Sequence, residues 1–142
     1  MKKTILLTGA TGYLGSYLAN ALVAQGHKVI ILKRKSSSIL RISSIIHVVK
    51  MYNIENLDYS ILFSAHGKID AIIHTATCYG RHGEKPSEVF EANTGFPLRL
   101  MDAAKAAGVG MFINTDTILD KYLNLYSLSK SQLLEWGKFF CI

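Results

Sequence analysis

The sequence predicts an α/β fold in which a parallel sheet is covered by helices on both faces. Three observations carry this. Strand-like and helix-like segments alternate along all 142 residues. The strand segments are near-continuous apolar runs, the pattern of a sheet buried on both sides. A glycine-spaced turn, Thr8-Gly9-Ala10-Thr11-Gly12-Tyr13-Leu14-Gly15, joins the first apolar run to the first helical pattern.

The elements follow in order. The first strand is expected at about 3–8 and the first helix at 12–25, where Leu14, Leu18, Ala21 and Leu22 share a face. The second strand covers 27–33 and is followed by the loop Ser36-Ser37-Ser38. A short third strand is expected from Ile45 to Val49. A helix from Leu57 to His66 stops at Gly67. The fourth strand runs from Asp70 to His74, and a polar loop from Cys78 to Pro86 leads to a helix over 87–107, stopped by Gly108. Pro97 should kink that helix or mark a break near Gly95. The fifth strand is Met111 to Asn114, and a last helix covers 124–139.

Composition bounds the function classes. Hydrophobic residues make up 49% of the chain and charged ones 18%, which fits one globular domain over 1–142 and not disorder. No apolar run reaches the roughly 18 residues of a membrane span. The run after Met1-Lys2-Lys3 breaks at Gly9, too early for a signal peptide. Cys78 and Cys141 have no metal-type spacing and read as packing residues of a cytoplasmic protein. The net charge of +6 is spread out, apart from Lys2-Lys3 and Lys33-Arg34-Lys35. Without a basic stripe interleaved with aromatics, phosphorylated small molecules explain it more economically than nucleic acid.

The glycine turn is where chemistry begins. Gly9 permits a tight turn out of the strand, Gly12 leaves the backbone open to a pyrophosphate, and Gly15 lets the helix pack closely. The backbone of Thr11, Tyr13 and Leu14 opens the helix, whose free N–H groups and positive dipole end suit phosphates. The spacing Thr-Gly-x-x-Gly-x-x-Gly resembles that of the short-chain dehydrogenase/reductase superfamily, in the extended branch (the epimerase/dehydratase family) that acts on nucleotide sugars. The resemblance implies a Rossmann-type, doubly wound sheet and a nicotinamide dinucleotide. In that branch a C-terminal substrate lobe follows. This chain ends on Phe139-Phe140-Cys141-Ile142 after the last helix, so it reads as the N-terminal part of such a protein.

Tyr126-Ser127-Leu128-Ser129-Lys130 matches the family's Tyr-x-x-x-Lys. Positions four apart share a helix face, and a neighbouring ammonium favours the ionised form of a phenol, which otherwise titrates far above neutrality. The resemblance implies that Tyr126 exchanges a proton with substrate and that Lys130 also holds the nicotinamide ribose. The third member of the set falls on Thr117, with Thr115 as the competing choice. Thr115-Asp116-Thr117 resembles the Thr-Asp-Glu of 4,6-dehydratases, but the glutamate that dehydration needs as a base is absent. Only eight residues separate Thr117 from Tyr126. This short loop, with Thr77-Cys78-Tyr79-Gly80-Arg81, resembles the CDP-sugar 4-ketoreductases, the paratose and abequose synthases.

Cofactor choice is read after the second strand. An NAD enzyme places a carboxylate there for the ribose 2′-hydroxyl, and an NADP enzyme places a cation for the 2′-phosphate. Here the chain reads Leu32-Lys33-Arg34-Lys35, with no carboxylate adjoining. Arg34, with Lys33 beside it, therefore points to NADP, with NAD also possible. Asn53-Ile54 takes the place of the family's adenine-contacting pair. His74-Thr75-Ala76-Thr77 resembles its His-x-Ala-Ala, so Thr75, Ala76 and Thr77 should pass near the cofactor, with His74 a structural histidine. Asn93 matches an asparagine whose usual role is structural or water-holding. No metal site is expected.

These readings imply an NADP(H)-dependent oxidoreductase reducing a 4-keto nucleotide sugar. The alternatives are an epimerase that retains NAD and a non-catalytic dinucleotide-binding module. A homodimer is expected through the helices over 87–107 and 124–139, the fourth and fifth of the family. The first carries Val89, Phe90, Phe96, Leu100, Met101 and Ala104, and the second Leu128, Leu133, Leu134, Trp136, Phe139 and Phe140.

Overall fold

The computed structural model describes residues 1–140; Cys141 and Ile142 lie outside the described residues. The elements run β1 (Thr4–Thr8), α1 (Tyr13–Ala24), β2 (Lys28–Lys33), β3 (Lys50–Asn53), α2 (Tyr59–His66), β4 (Ala71–His74), α3 (Pro86–Phe90), α4 (Phe96–Ala106), β5 (Phe112–Asn114) and α5 (Leu125–Gly137). All five strands are parallel, in the order β3-β2-β1-β4-β5. This is a Rossmann-like α/β fold. The chain divides into two compact units, Met1–Ala76 with Ala107–Asn114, and Thr77–Ala106 with Thr115 onward.

The first unit holds the whole sheet. On one face Leu7, Val29 and Ile31 join Ala19 of α1 in a buried cluster. Residues in register share a face, so Tyr52 lies on the other side, beside Leu32. There its hydroxyl meets Nε2 of His66 in α2 at 2.8 Å. Asp58 starts α2 by accepting the N–H of Ser60 at 2.8 Å and of Ile61 at 3.2 Å.

Two expectations are corrected here. The third strand is not Ile45–Val49. Leu40–Ile45 is a 3₁₀ segment whose Ile42 and Ile45 plug the α1 side of the core, and the strand begins at Lys50. Tertiary burial has overridden the strand propensity of that apolar run. The inner face of α1 is also rotated from the expected one. Gly15, Ser16 and Ala19 are buried, whereas Leu14 is half exposed, because small residues let α1 approach closely. The break expected near Gly95 is present, and it divides the helix over 87–107 into three segments. Glu91–Gly95 is a π-helical stretch between α3 and α4. Pro97 has no N–H for the carbonyl of Asn93, and the wider turn accommodates that loss.

The second unit gathers α3, the π segment and α4 against α5. Asn124 caps α5: its Oδ1 accepts the N–H of Ser127 at 2.9 Å, and Ser127 Oγ accepts the N–H of Asn124 at 3.2 Å. This box places Tyr126 in the first turn of α5.

Candidate functional site

In the first unit the glycine turn leaves the carboxyl end of β1, next to β4, where the strand order reverses. In open α/β sheets that is the position for a ligand. The three glycines are constrained differently. Gly9 has φ of +73° and is the neighbour of the chain just after β4: a Cβ there would lie 2.5 Å from the N of Ala76 and 2.6 Å from the Oγ1 of Thr75. At Gly15 a Cβ would overlap the carbonyl oxygen of Gly9. At Gly12 the nearest atom is the Gly9 carbonyl oxygen at 3.3 Å, and φ is an ordinary −80°. The fold therefore demands glycine at 9 and 15, whereas at 12 an added Cβ would make one tight contact, relieved by a small shift. Gly12 stands at the N-cap of a helix that no side chain caps and whose first turn holds no acid. That fits a pyrophosphate on the backbone of Thr11 to Leu14.

The strand ends around this turn are tied together. Thr8 Oγ1 and His74 Nδ1, both buried, are 2.7 Å apart. Thr75 donates its hydroxyl to the carbonyl of Thr8 at 2.8 Å, and the N–H of Ala76 reaches Thr8 Oγ1 at 3.4 Å. His74 thus holds a buried position between strands, with its ring beside Phe112.

At the end of β2, Lys33 Nζ donates to Asn53 Oδ1 at 3.1 Å and to the carbonyl of Arg34 at 3.2 Å. Arg34 is exposed. Asn53 is the last residue of β3, opposite Lys33, and Ile54 opens a short 3₁₀ turn. The expectation of no carboxylate beside this basic stretch held only along the sequence. In the fold Glu55 accepts the N–H of Lys35 at 2.8 Å, because β2 and β3 run side by side and in register.

In the second unit Tyr126 is half-buried, and its ring lies 5.0 Å from that of Tyr79 with the planes 34° apart. The Arg81 guanidinium sits 5.2 Å from the centre of the Tyr79 ring. Lys130, one turn along the same face of α5, is 1% exposed. Burial lowers its pKa from the ordinary 10.5, and the Asp116 carboxylate opposes that shift. Thr117 Oγ1 accepts the N–H of Leu119 at 3.3 Å, which leaves its hydroxyl hydrogen to donate. Thr115 also makes an interaction.

A buried polar network supports this helix, and the sequence revealed only part of it. Asn93 Oδ1 accepts the N–H of Cys78 at 2.7 Å and the hydroxyl of Thr77 at 3.2 Å. Its Nδ2 donates to the carbonyl of Cys78 at 2.7 Å and to Ser129 Oγ at 3.0 Å. Thr94 donates to the carbonyl of Ser129 at 2.9 Å. Asn93, Thr94 and Ser129 are all buried. The available signal was a run of polar residues in an otherwise apolar helix, one turn before a proline. A shallow groove of about 220 Å³, lined by Lys121, Tyr122, Leu128, Gln132 and Trp136 among others, lies on the opposite side of α5 from Tyr126 and Lys130.

Residues 5–124 match the NAD dependent epimerase/dehydratase family. The chain belongs to that family. It is 32% identical over 146 aligned positions to a CDP-abequose synthase of Salmonella muenchen, an alignment that covers 99% of this chain and 48% of that protein. It is 35% identical over 120 positions to a UDP-glucose 4-epimerase of Erwinia amylovora, covering 78% of this chain and 35% of that protein. The chain thus spans about half, or less, of the length of these relatives. The fold is similar to that of the Bordetella bronchiseptica enzyme WbmH in complex with NAD+, with a TM-score of 0.82, 20% identity, and coverage of 99% of this chain and 53% of that one. No helix among the described residues is long and apolar enough to cross a membrane, and among them no three or more His, Cys, Asp or Glu side chains cluster as a metal site would need.

Proposed function

We propose that this chain is the dinucleotide-binding part of an NADP(H)-dependent oxidoreductase that reduces a 4-keto nucleotide sugar. The observation that carries the reading is the likeness to CDP-abequose synthase along 99% of the chain. It is supported by a turn whose middle glycine is far less constrained by the fold than the two that flank it. Gly9, Thr11, Gly12, Tyr13, Leu14 and Gly15 hold the pyrophosphate. Arg34, backed by Lys33, takes the 2′-phosphate, and Asn53 and Ile54 flank the adenine. Thr75, Ala76 and Thr77 line the path of the cofactor beyond β4. A bound nicotinamide supplies the hydride. Tyr126 gives the proton to the keto oxygen, Thr117 donates a hydrogen bond to that oxygen, and Lys130 assists the phenol and holds the ribose.

A cytoplasmic location goes with this reading, since its cofactor and substrate belong there. So does a homodimer, now resting mainly on α5. Phe96, Leu100, Met101 and Ala104 of α4 are buried within their own chain, which removes most of one expected surface. Leu134, Trp136 and Phe139 are exposed, as is Phe90 of α3. Light scattering giving the mass of one chain at micromolar concentration overturns the dimer.

The second reading, an epimerase that retains NAD, is favoured by the likeness to UDP-glucose 4-epimerases. Calorimetry separates the two. NADPH should bind more tightly than NADH, and Arg34→Ala should remove the difference, about 1–3 kcal/mol for a charge-assisted bond. Tighter binding of NADH by the unaltered chain would favour the epimerase.

A further inference from the structure

β2 and β3 end side by side, with Lys33 opposite Asn53. The residues just past each end therefore meet, although twenty positions separate them. Lys33-Arg34-Lys35 stands at one end and Glu55 just beyond the other. The Glu55 carboxylate is anchored, not loose: its Oε1 accepts the Lys35 N–H at 2.8 Å. That bond first, then Glu55's own N–H and the charges of Lys33 and Arg34, hold its carboxyl below the usual carboxylate range. Lys33 is engaged with Asn53 and the Arg34 carbonyl. The Arg34 guanidinium makes no ion pair among the described residues and is the cation left for an incoming anion.

We propose that Glu55 is a specificity-determining residue of this dinucleotide site. A 2′-phosphate drawn to Arg34 meets a fixed like charge. A bare 2′-hydroxyl meets an acceptor of the kind that NAD sites provide. Glu55 therefore holds down the preference that Arg34 creates, and the site takes both NADP(H) and NAD(H). This rests on the reading of residues 9–15 and 33–34 as a dinucleotide site, and it adds a carboxylate that the fold, not the adjoining sequence, delivers.

The test is calorimetric titration of the whole chain with NADPH and with NADH, for the unaltered chain, Glu55→Gln and Glu55→Ala. Glutamine keeps an oxygen for the Lys35 N–H and removes only the charge. In Glu55→Gln the ratio of NADPH to NADH affinity should rise about tenfold at low salt. The rise should shrink at high salt, where exposed charges are screened. It should change in size when Arg34→Ala is added, since the two charges act on one ligand group and their effects are not additive. An unchanged ratio in Glu55→Gln, with both dinucleotides weakened equally in Glu55→Ala, overturns the proposal and leaves Glu55 as a loop clip. If the unaltered chain binds neither dinucleotide, the dinucleotide reading itself falls, and this proposal with it.

Discussion

The glycine turn of the first unit and the Tyr126 helix of the second are held in place by different means. The turn is fixed first by close backbone contact, which threonine and histidine side chains then secure. Gly9 and Gly15 have no room for a Cβ, and Thr8, His74 and Thr75 fasten the strand ends on either side. The start of α5 is fixed by side chains: the Asn124–Ser127 box at its end and Asn93, Thr94 and Ser129 beneath it. A site built on backbone tolerates almost no substitution at its glycines. A site built on side chains fails through residues far away in sequence.

The largest expected effect tests the second region. In whichever form of the protein turns over a nucleotide sugar, Tyr126→Phe should lower kcat by about 10²–10⁴-fold, the range for a general acid–base group. Affinity for the dinucleotide should stay within about twofold on the same grounds, because the proposed role of the phenol is toward the substrate oxygen. A matching loss of dinucleotide affinity would mean that Tyr126 belongs to the binding turn's function instead.

The glycines sharpen the contrast next. Gly15→Ala should destabilise the chain by about 1–3 kcal/mol, the usual cost of overpacking, because the Cβ overlaps a carbonyl that has nowhere to go. Gly12→Ala should leave denaturant midpoints almost unchanged yet weaken NADPH by at least about tenfold, or 1.4 kcal/mol. Equal destabilisation by the two would show that Gly12, too, serves the fold and not a ligand.

The same contrast explains what was legible in the sequence. The alternation of strands and helices and the glycine turn could be read because a tight turn and an apolar run leave marks on consecutive residues. Tyr126 and Lys130 were legible for a similar reason, lying one helical turn apart. The strand at Ile45–Val49 was misplaced because burial of Ile42 and Ile45 beneath α1 is a tertiary choice with no local mark. Glu55 could not be linked to Arg34 without the register of β2 and β3. The bonds of Asn93 to Cys78 and Ser129 likewise join residues 15 and 36 positions apart. Such pairings belong to the fold and leave no trace in either neighbourhood alone.

Asn93→Ala should therefore act at a distance. It removes two donors and an acceptor from a buried network, leaves the Cys78 N–H without its partner and takes from Ser129 Oγ the N–H it accepts, while Ser129 still donates to the carbonyl of Tyr126. The expected loss is about 1–3 kcal/mol of stability in thermal or denaturant unfolding. A loss below about 0.5 kcal/mol, the scale of an ordinary surface substitution, would show that α5 is held by its apolar contacts alone.

The smallest effect has the opposite sign. Lys130 is charged in water and almost fully buried in the fold, and its pKa is lowered chiefly by that burial. Between the depressed folded value and the ordinary 10.5, the unfolded chain binds more protons than the folded one, so this residue's contribution makes stability rise with pH. At neutral pH the buried charge is a cost. Lys130→Met keeps the aliphatic bulk and removes the charge. Asp116 is exposed, so it is not stranded in the interior. The variant should be more stable than the unaltered chain by about 1 kcal/mol at pH 7, at the lower end of what replacing buried charge by apolar groups yields. The gain should shrink as pH climbs toward 10.5 and the lysine of the unaltered chain loses its proton in both states. Thermal unfolding of both proteins from pH 7 to pH 10 measures that difference directly. A destabilised Lys130→Met at pH 7 would mean that the ammonium's bonds in the folded chain outweigh its desolvation. Lys130 would then be a structural residue of the second unit, and the stability that side chains give this region would extend to the face of α5 that carries Tyr126 and Lys130.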